Sequence, residues 1–260
     1  MKKIIIALII IFMLPEYSIG QHLIYKKDVS AISEREAILV LPGLEGNKKR
    51  RKKILTAFEY KGYDVFVLDY IDRNSLTNTR KYVEDYIYDN KLDKYKELHC
   101  FTYIMGTWTL NDFIQKNGFI NIKTIISDRS PPQELAPRIA KEKLNWIAKI
   151  VKGKIVFDLA DTPYPVIDNP ENVNFGIIIE NKATKLVKMY KKTALSYGPI
   201  SMDVNALNQS YDDYFYVLLD HYEMYSNFDI IGEPIHQFLK NGVFPQNSQR
   251  EPITNNLFAK

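Results

Sequence analysis

From residue 37 onward, short apolar runs alternate with helix-length amphipathic segments. The apolar runs are continuous rather than alternating, which is typical of strands buried on both faces of a parallel sheet. This pattern predicts an α/β protein with helices on both faces of one mostly parallel sheet. The predicted strands span residues 37–41, 64–68, 97–103, 123–127, 174–179 and 214–219.

The amphipathic segments predict helices that end at plausible stop signals. Glycine follows Lys61, Asn117 and Asn241, where a left-handed residue closes a helix. Residues 245–260 are polar and contain proline, which predicts a loose C-terminal tail. The predicted helices span residues 48–61, 77–90, 107–117, roughly 133–151, and 229–240.

The first 20 residues have the pattern of a secretory signal peptide. Lys2 and Lys3 precede an apolar run over residues 4–14, and Ser18 and Gly20 are small at the positions that a signal peptidase requires. The apolar run falls well short of the roughly 20 residues that span a bilayer. We therefore expect cleavage before Gln21, export to the periplasm or the medium, and a lead-in over residues 21–35.

Composition adds few constraints. A chain of 260 residues with 46% hydrophobic residues has the size of one α/β domain. A net charge of +4 is too small to imply a nucleic-acid partner, and we expect none. Cys100 is the single cysteine and lies within an apolar run, so we expect a buried thiol and no internal disulfide.

No cofactor or metal is expected from the sequence. The chain has neither a Walker-type phosphate loop nor a dinucleotide fingerprint, and it has no cysteine pair. The four histidines, at positions 22, 99, 221 and 236, lack paired ligand spacing, so the sequence predicts no metal site.

Two loops follow predicted strands in an informative order. The first, Leu41-Pro-Gly-Leu-Glu-Gly-Asn47, opens a helix, and the second is the tight turn Thr102-Tyr103-Ile104-Met105-Gly106. Their order and spacing resemble the α/β-hydrolase fold, in which the second turn is the nucleophile elbow Gly-x-Ser-x-Gly. The C-terminal part resembles the lipase and esterase branch. The resemblance covers residues 36–244 and implies a short helical cap over about 131–161.

The resemblance also implies catalytic positions, several of which have changed. Ile104 occupies the nucleophile position, and Gly106 is the glycine of the elbow that remains. Ser201 replaces the expected acid, and Asp203, two residues on, is a weak substitute. His221 matches the base, either as an inert leftover or as a retained functional group. The triad is therefore predicted to be degenerate.

Two further features could retain a binding role. The resemblance implies that the backbone N–H groups of Leu44 and Met105 form an oxyanion hole, which requires no particular side chain and could hold a carboxylate or carbonyl. A cationic run could instead bind an anionic envelope surface, or could be an ordinary solvated helix start. This run comprises Lys48, Lys49, Arg50, Arg51, Lys52 and Lys53.

Three functional hypotheses follow. The first is an exported, non-catalytic relative of lipases and esterases that binds or scaffolds, with an acyl, lipid or glycan ligand in the former active site. The second is an atypical ester or lipid hydrolase in which His221 activates water, which requires a carboxylate within reach of its ring. The third is a cationic protein that binds the envelope surface through residues 48–53.

Overall fold

The computed structural model describes residues 23–26, 30–44, 47–68, 72–168, 171–254 and 256–258. These residues form a seven-stranded sheet in the order β1-β3-β2-β4-β5-β6-β7, in which every neighbouring pair is parallel except β1 with β3. The strands are β1 Leu23–Tyr25, β2 Glu36–Leu41, β3 Asp64–Val67, β4 Glu97–Thr102, β5 Ile122–Arg129, β6 Asn174–Glu180 and β7 Asp213–Val217.

Helices connect the strands and cover both faces of the sheet. Those outside the segment between β5 and β6 are α1 Lys48–Phe58, α2 Leu76–Asp89, α3 Ile104–Asn117, α8 Lys185–Met189, α9 Lys191–Ser196, α10 His221–Met224 and α11 Phe228–Asn241. Short 3-10 turns lie at Ile32–Glu34, Leu92–Lys94 and Val204–Leu207. None of the described helices is long and apolar enough to cross a membrane.

The segment between β5 and β6 forms the cap, although the single predicted helix over 133–151 is wrong. The chain there forms several short helices because prolines at 131, 132 and 137 favour new helix starts. A π-helical turn further interrupts the α-helical hydrogen bonds. These elements are α4 Pro131–Glu134, α5 Ala136–Ile139, the π turn Ala140–Leu144, α6 Asn145–Lys152 and α7 Ile155–Asp161.

Two apolar clusters hold the layers together, one on each face of the sheet. Leu39, Phe66 and Cys100 belong to one cluster, and Ile38 and Phe101 belong to the other, as the two-residue repeat of a strand requires. Cys100 is fully buried, and burial raises the pKa of its thiol, so the predicted inert core cysteine is confirmed.

Two predicted strands end later than the apolar pattern indicated. β5 continues through Asp128 to Arg129, and β6 ends on Glu180 rather than on residue 179. All three charged residues are buried. The apolar pattern missed them because it treats a charged residue as the end of a buried strand, whereas a buried charge is tolerated where it has a partner.

The C-terminal segment is bound to the body of the protein, so the predicted loose tail is wrong. The backbone N–H of Tyr216 in β7 donates to the carbonyl of Gln249 at 2.8 Å. Further on, the Asn181 side chain bonds both the N–H and the carbonyl of Thr254. Backbone and amide bonds of this kind do not depend on apolar side chains, which explains why a polar sequence is held in place. The predicted signal peptide lies outside the described residues.

Candidate functional site

The turn after β4 presents Ile104 as the first residue of α3. Gly106 makes this turn feasible, since a side chain there would overlap the backbone carbonyl of Leu41 in the neighbouring strand. Thr102 and Thr107 form a buried hydroxyl pair at 2.6 Å beneath the turn. The hydroxyls that flank Ile104 are therefore engaged inside the protein.

His221 lies at the start of α10, just beyond the end of β7. Asp220 caps this helix, accepting from the N–H groups of Tyr222 and Glu223, while the Glu223 side chain returns to the N–H of Asp220. This reciprocal cap fixes the first turn, and so the direction from which the imidazole enters the site. The residue is 5% exposed, so the polar atoms of its ring depend on partners from the protein.

Two buried carboxylates meet the imidazole. The Nδ1 atom of His221 lies 2.8 Å from Oε1 of Glu180 and 3.6 Å from Oδ2 of Asp128. Both acids are fully buried: Glu180 is the last residue of β6, and Asp128 is the last but one of β5, the adjacent parallel strand. The carboxyl ends of such strands share one edge of the sheet, which is why residues 52 positions apart in sequence converge on one ring.

The buried cluster holds its protons tightly. Burial lowers the pKa of His221, but the charges and hydrogen bonds of Glu180 and Asp128 outweigh it and raise the pKa to about 10. Burial and the neighbouring Asp128 raise the pKa of Glu180 well above its usual value. The Oδ1 and Oδ2 atoms of Asp128 and the Oε2 atom of Glu180 have no hydrogen-bond partner among the described residues.

Ser201 and Asp203 take no part in this cluster, and sequence reasoning missed the acid that does. Asp203 is exposed and caps the short turn Val204–Leu207, its side chain accepting from the N–H of Asn205 at 2.9 Å. Ser201 is exposed beside it and bonds the N–H of Asp203. The signal that could have identified Glu180 is a carboxylate that directly ends a run of buried β-branched residues.

A pair of stacked tyrosines forms the wall beside His221. The rings of Tyr103 and Tyr225 are parallel, with centroids 4.0 Å apart, and Tyr225 meets the imidazole edge-on at 5.4 Å. The Tyr225 hydroxyl accepts from the N–H of Gly43 at 3.0 Å. An amide of the predicted oxyanion loop is therefore already engaged by a side chain of the protein, which favours a packed site.

The residues of the predicted oxyanion hole lie beside His221 and beneath the cap. A Cβ atom built on Gly43 would lie 3.8 Å from both the Nε2 atom of His221 and the Cβ atom of Met105, so loop, elbow and imidazole converge on one place. The side chains of Met105 and Leu44 belong to an apolar cluster that spans the elbow and the cap. Its other members are Leu76, Trp108, Ile155, Leu159 and Tyr164.

The cationic run divides into two faces. Arg51 is buried, and Arg50 lies over the rings of Tyr222 and Tyr225, 5.5 and 5.7 Å from their centroids. These two guanidinium groups thus face the protein, as their affinity for aromatic rings favours. The exposed charges of the run are Lys48, Lys49, Lys52 and Lys53.

Among the described residues, two groups of side chains have the chemistry to ligate a metal ion. Asp128, Glu180 and His221 form one, and all three are buried. The other group comprises Glu36, Glu97 and His99, at the opposite edge of the sheet.

Comparisons by sequence find no matching family model and no curated relative. Solved structures do match. The chain is similar to a structure of the metagenome-derived lipolytic enzymes LipS and LipT, with 11% identity over 87% of this chain and 98% of that one and a TM-score of 0.55. It is also similar to the mouse alpha/beta hydrolase domain-containing protein 10, with 11% identity, coverage of 84% and 93% and a TM-score of 0.53.

A third similar structure is the type II thioesterase BorB from the borrelidin biosynthetic cluster, with 12% identity, coverage of 84% and 96% and a TM-score of 0.53. Identities this low establish the fold alone. The predicted fold is confirmed: the chain has an α/β-hydrolase fold, with a mostly parallel sheet and helices on both faces.

Proposed function

We propose that this chain is an exported, non-hydrolytic protein of the α/β-hydrolase fold that acts by binding rather than by catalysis. The observation that carries the proposal is Ile104, an aliphatic side chain at the start of α3, where the fold presents its nucleophile. An isoleucine has no atom that can attack a carbonyl, so an acyl-enzyme cannot form there.

The protonation of His221 supports the same conclusion. A general base must be unprotonated in the working pH range, and a pKa of about 10 leaves this imidazole charged at neutral pH. Its contact with Glu180 then acts as a buried ion pair that links β6 to α10. The contact between His221 and Glu180, which orients a general base in a catalytic site, would then stabilise the folded site instead.

The ligand that best suits the apolar side chains of the site is an acyl chain, which would enter by separating the packed contacts between the elbow and the cap. The side chains between the elbow and the cap are apolar, from Leu44 and Met105 on one side to Ile155 and Leu159 on the other. Apolar lining with a few backbone donors at one end suits a hydrocarbon tail with a carboxylate or carbonyl head. The lining offers less to a glycan, which requires polar partners.

One observation favours a second function, ester hydrolysis by water that His221 activates. Such a mechanism needs a carboxylate to orient the imidazole, and Glu180 lies 2.8 Å from it. Because the imidazole loses its proton only near pH 10, this activity would increase with pH and be slight near pH 7.

Binding to an anionic surface through α1 is a third candidate function, and the structure identifies which residues of the cationic run could take part in it. The exposed lysines at 48, 49, 52 and 53 present charge to an anionic membrane, whereas Arg50 and Arg51 face inward. Neutralising the four lysines should abolish salt-sensitive binding to anionic vesicles if this surface acts. The same binding retained in the four-lysine variant would exclude it.

The decisive assay is hydrolysis of a chain-length series of nitrophenyl esters by residues 21–260, compared with His221→Ala. We expect equal rates for the two proteins at neutral pH, and saturable protection of the wild type by fatty acids in a thermal shift measurement. Turnover lost in His221→Ala would contradict the proposal, and a rise toward pH 10 would favour the activated-water mechanism.

A further inference from the structure

A second cluster of ionisable side chains lies far from the elbow, at the amino ends of two central strands. Glu36 begins β2 and Glu97 begins β4, and the two residues are direct partners in the parallel register. His99 follows Glu97 by two residues. Because side chains two apart on a strand share a face, all three lie on the same face of the sheet.

The three side chains converge. One ligand atom from each lies within 4.8 Å of the other two, and Nε2 of His99 is 3.6 Å from Oε2 of Glu36. That distance is too long for a hydrogen bond. The ring of Tyr63 meets the imidazole edge-on, with centroids 5.3 Å apart, and limits its rotation.

His99 is the observation that indicates a ligand. The residue is 1% exposed, and neither ring nitrogen has a hydrogen-bond partner among the described residues. Buried polar atoms are normally paired, and an orphan implies a group that the protein atoms alone do not supply. Here the unpaired imidazole is directed at a pair of carboxylates that remain partly accessible from solvent.

We propose that Glu36, Glu97 and His99 bind a divalent transition-metal ion such as Zn²⁺, with water completing the coordination. One imidazole and two carboxylates form an accepted ligand set for this class of ion. Zinc–ligand distances of about 2.0–2.2 Å place neighbouring ligand atoms roughly 3.3 Å apart, so the half-exposed carboxylates need to move by about 1 Å or slightly more.

The ammonium group of Lys96 competes with a metal ion for the carboxylate of Glu36. Its Nζ atom lies 3.4 Å from Oε1 of Glu36, whereas the other oxygen of that carboxylate faces His99. A cation bound by the cluster would therefore experience repulsion from this ammonium group. Removing the charge should strengthen metal binding without altering a ligand.

The test is equilibrium dialysis of Zn²⁺ against chelator-stripped residues 21–260, with Co²⁺ absorption as a report of coordination. Glu97→Gln is the main variant because a half-exposed, isosteric change should leave the fold intact. His236→Gln is the matched control, since this second histidine also meets the Tyr63 ring edge-on. Glu180→Gln monitors the other acidic cluster.

We expect one ion per chain, an affinity at least about tenfold weaker in Glu97→Gln, and unchanged affinity in His236→Gln and Glu180→Gln. Lys96→Gln should bind severalfold more tightly. Absence of stoichiometric binding by the wild type would overturn the proposal. So would a loss of affinity in Glu180→Gln with none in Glu97→Gln, because the ion would then belong to the His221 cluster.

Discussion

The buried ion pair of His221 predicts a specific pH dependence of stability. Its folded-state pKa of about 10 exceeds the ordinary histidine value of 6.5, so the folded protein binds this proton more tightly than the unfolded chain does. The resulting stabilisation is fully present below about pH 6.5 and is lost as the pH rises to about 10. His221→Gln should remove it, because an amide stays neutral throughout.

The size of this loss of stability follows from how far the pKa of His221 is raised. Each pKa unit corresponds to about 1.4 kcal/mol, so the difference across roughly 3.5 units is on the order of 5 kcal/mol. This figure is a difference between two pH values in one protein, so the cost of burying the charges is not part of it. Because the protonation of Glu180 depends on the charge of the same ring, we expect an observed change of about 2–4 kcal/mol.

The assay is urea unfolding of both proteins between pH 6 and pH 10. The gap in unfolding free energy between wild type and His221→Gln should narrow steadily from pH 6.5 upward. His236→Gln is the control, because burial and Lys61 lower the pKa of His236 and confine its effect to more acidic pH. A gap that stays constant from pH 6.5 to pH 10 would refute the assignment of a charged imidazolium.

Three further predictions test the nucleophile position, the packing of the elbow and the attachment of the C-terminal segment. At pH 10, where His221 begins to lose its proton, Ile104→Ser should acquire nitrophenyl-ester turnover at least about tenfold above Ile104→Ala, and adding Glu180→Gln should remove it. Equal rates in the two variants would show that the remaining groups are not positioned for catalysis. Gly106→Ala should lower the unfolding free energy by about 3 kcal/mol in urea titration, because its Cβ would collide with the backbone of Leu41; a change below about 0.5 kcal/mol would contradict this packing. Asn181→Ala should release the C-terminal segment, detected as faster proteolysis within residues 245–258; unchanged cleavage would show that the tail is held elsewhere.

Much of this fold could be predicted from the sequence because its strands and helices differ in their pattern of apolar residues. Continuous apolar runs identified six strands, and the order of loops placed Ile104, Gly106 and His221 at the correct ends of them. The carboxylates were missed because a buried charge interrupts the apolar pattern while continuing the strand. Only the three-dimensional register shows that Asp128 and Glu180 lie at the carboxyl ends of neighbouring strands.

Other features depended on contacts that a sequence does not reveal. Arg50 and Arg51 look identical to the neighbouring lysines in a run of positive charge, yet they turn toward the protein. Glu97 and His99 lack helical ligand spacing, but a strand places them on one face and its partner adds Glu36. The polar tail was misjudged because backbone hydrogen bonds leave no compositional signature.

The central claim of the proposed function is that the elbow forms no acyl-enzyme, because Ile104 stands at its nucleophile position. Its most direct test is intact-mass spectrometry of residues 21–260 after incubation with nitrophenyl butyrate or a fluorophosphonate probe at pH 7 and at pH 10. We expect an unchanged mass in the wild type at both pH values and a single adduct in Ile104→Ser at pH 10, mapped to position 104. An adduct in the wild type that disappears in His221→Ala would contradict the claim and would reveal a nucleophile elsewhere in the site.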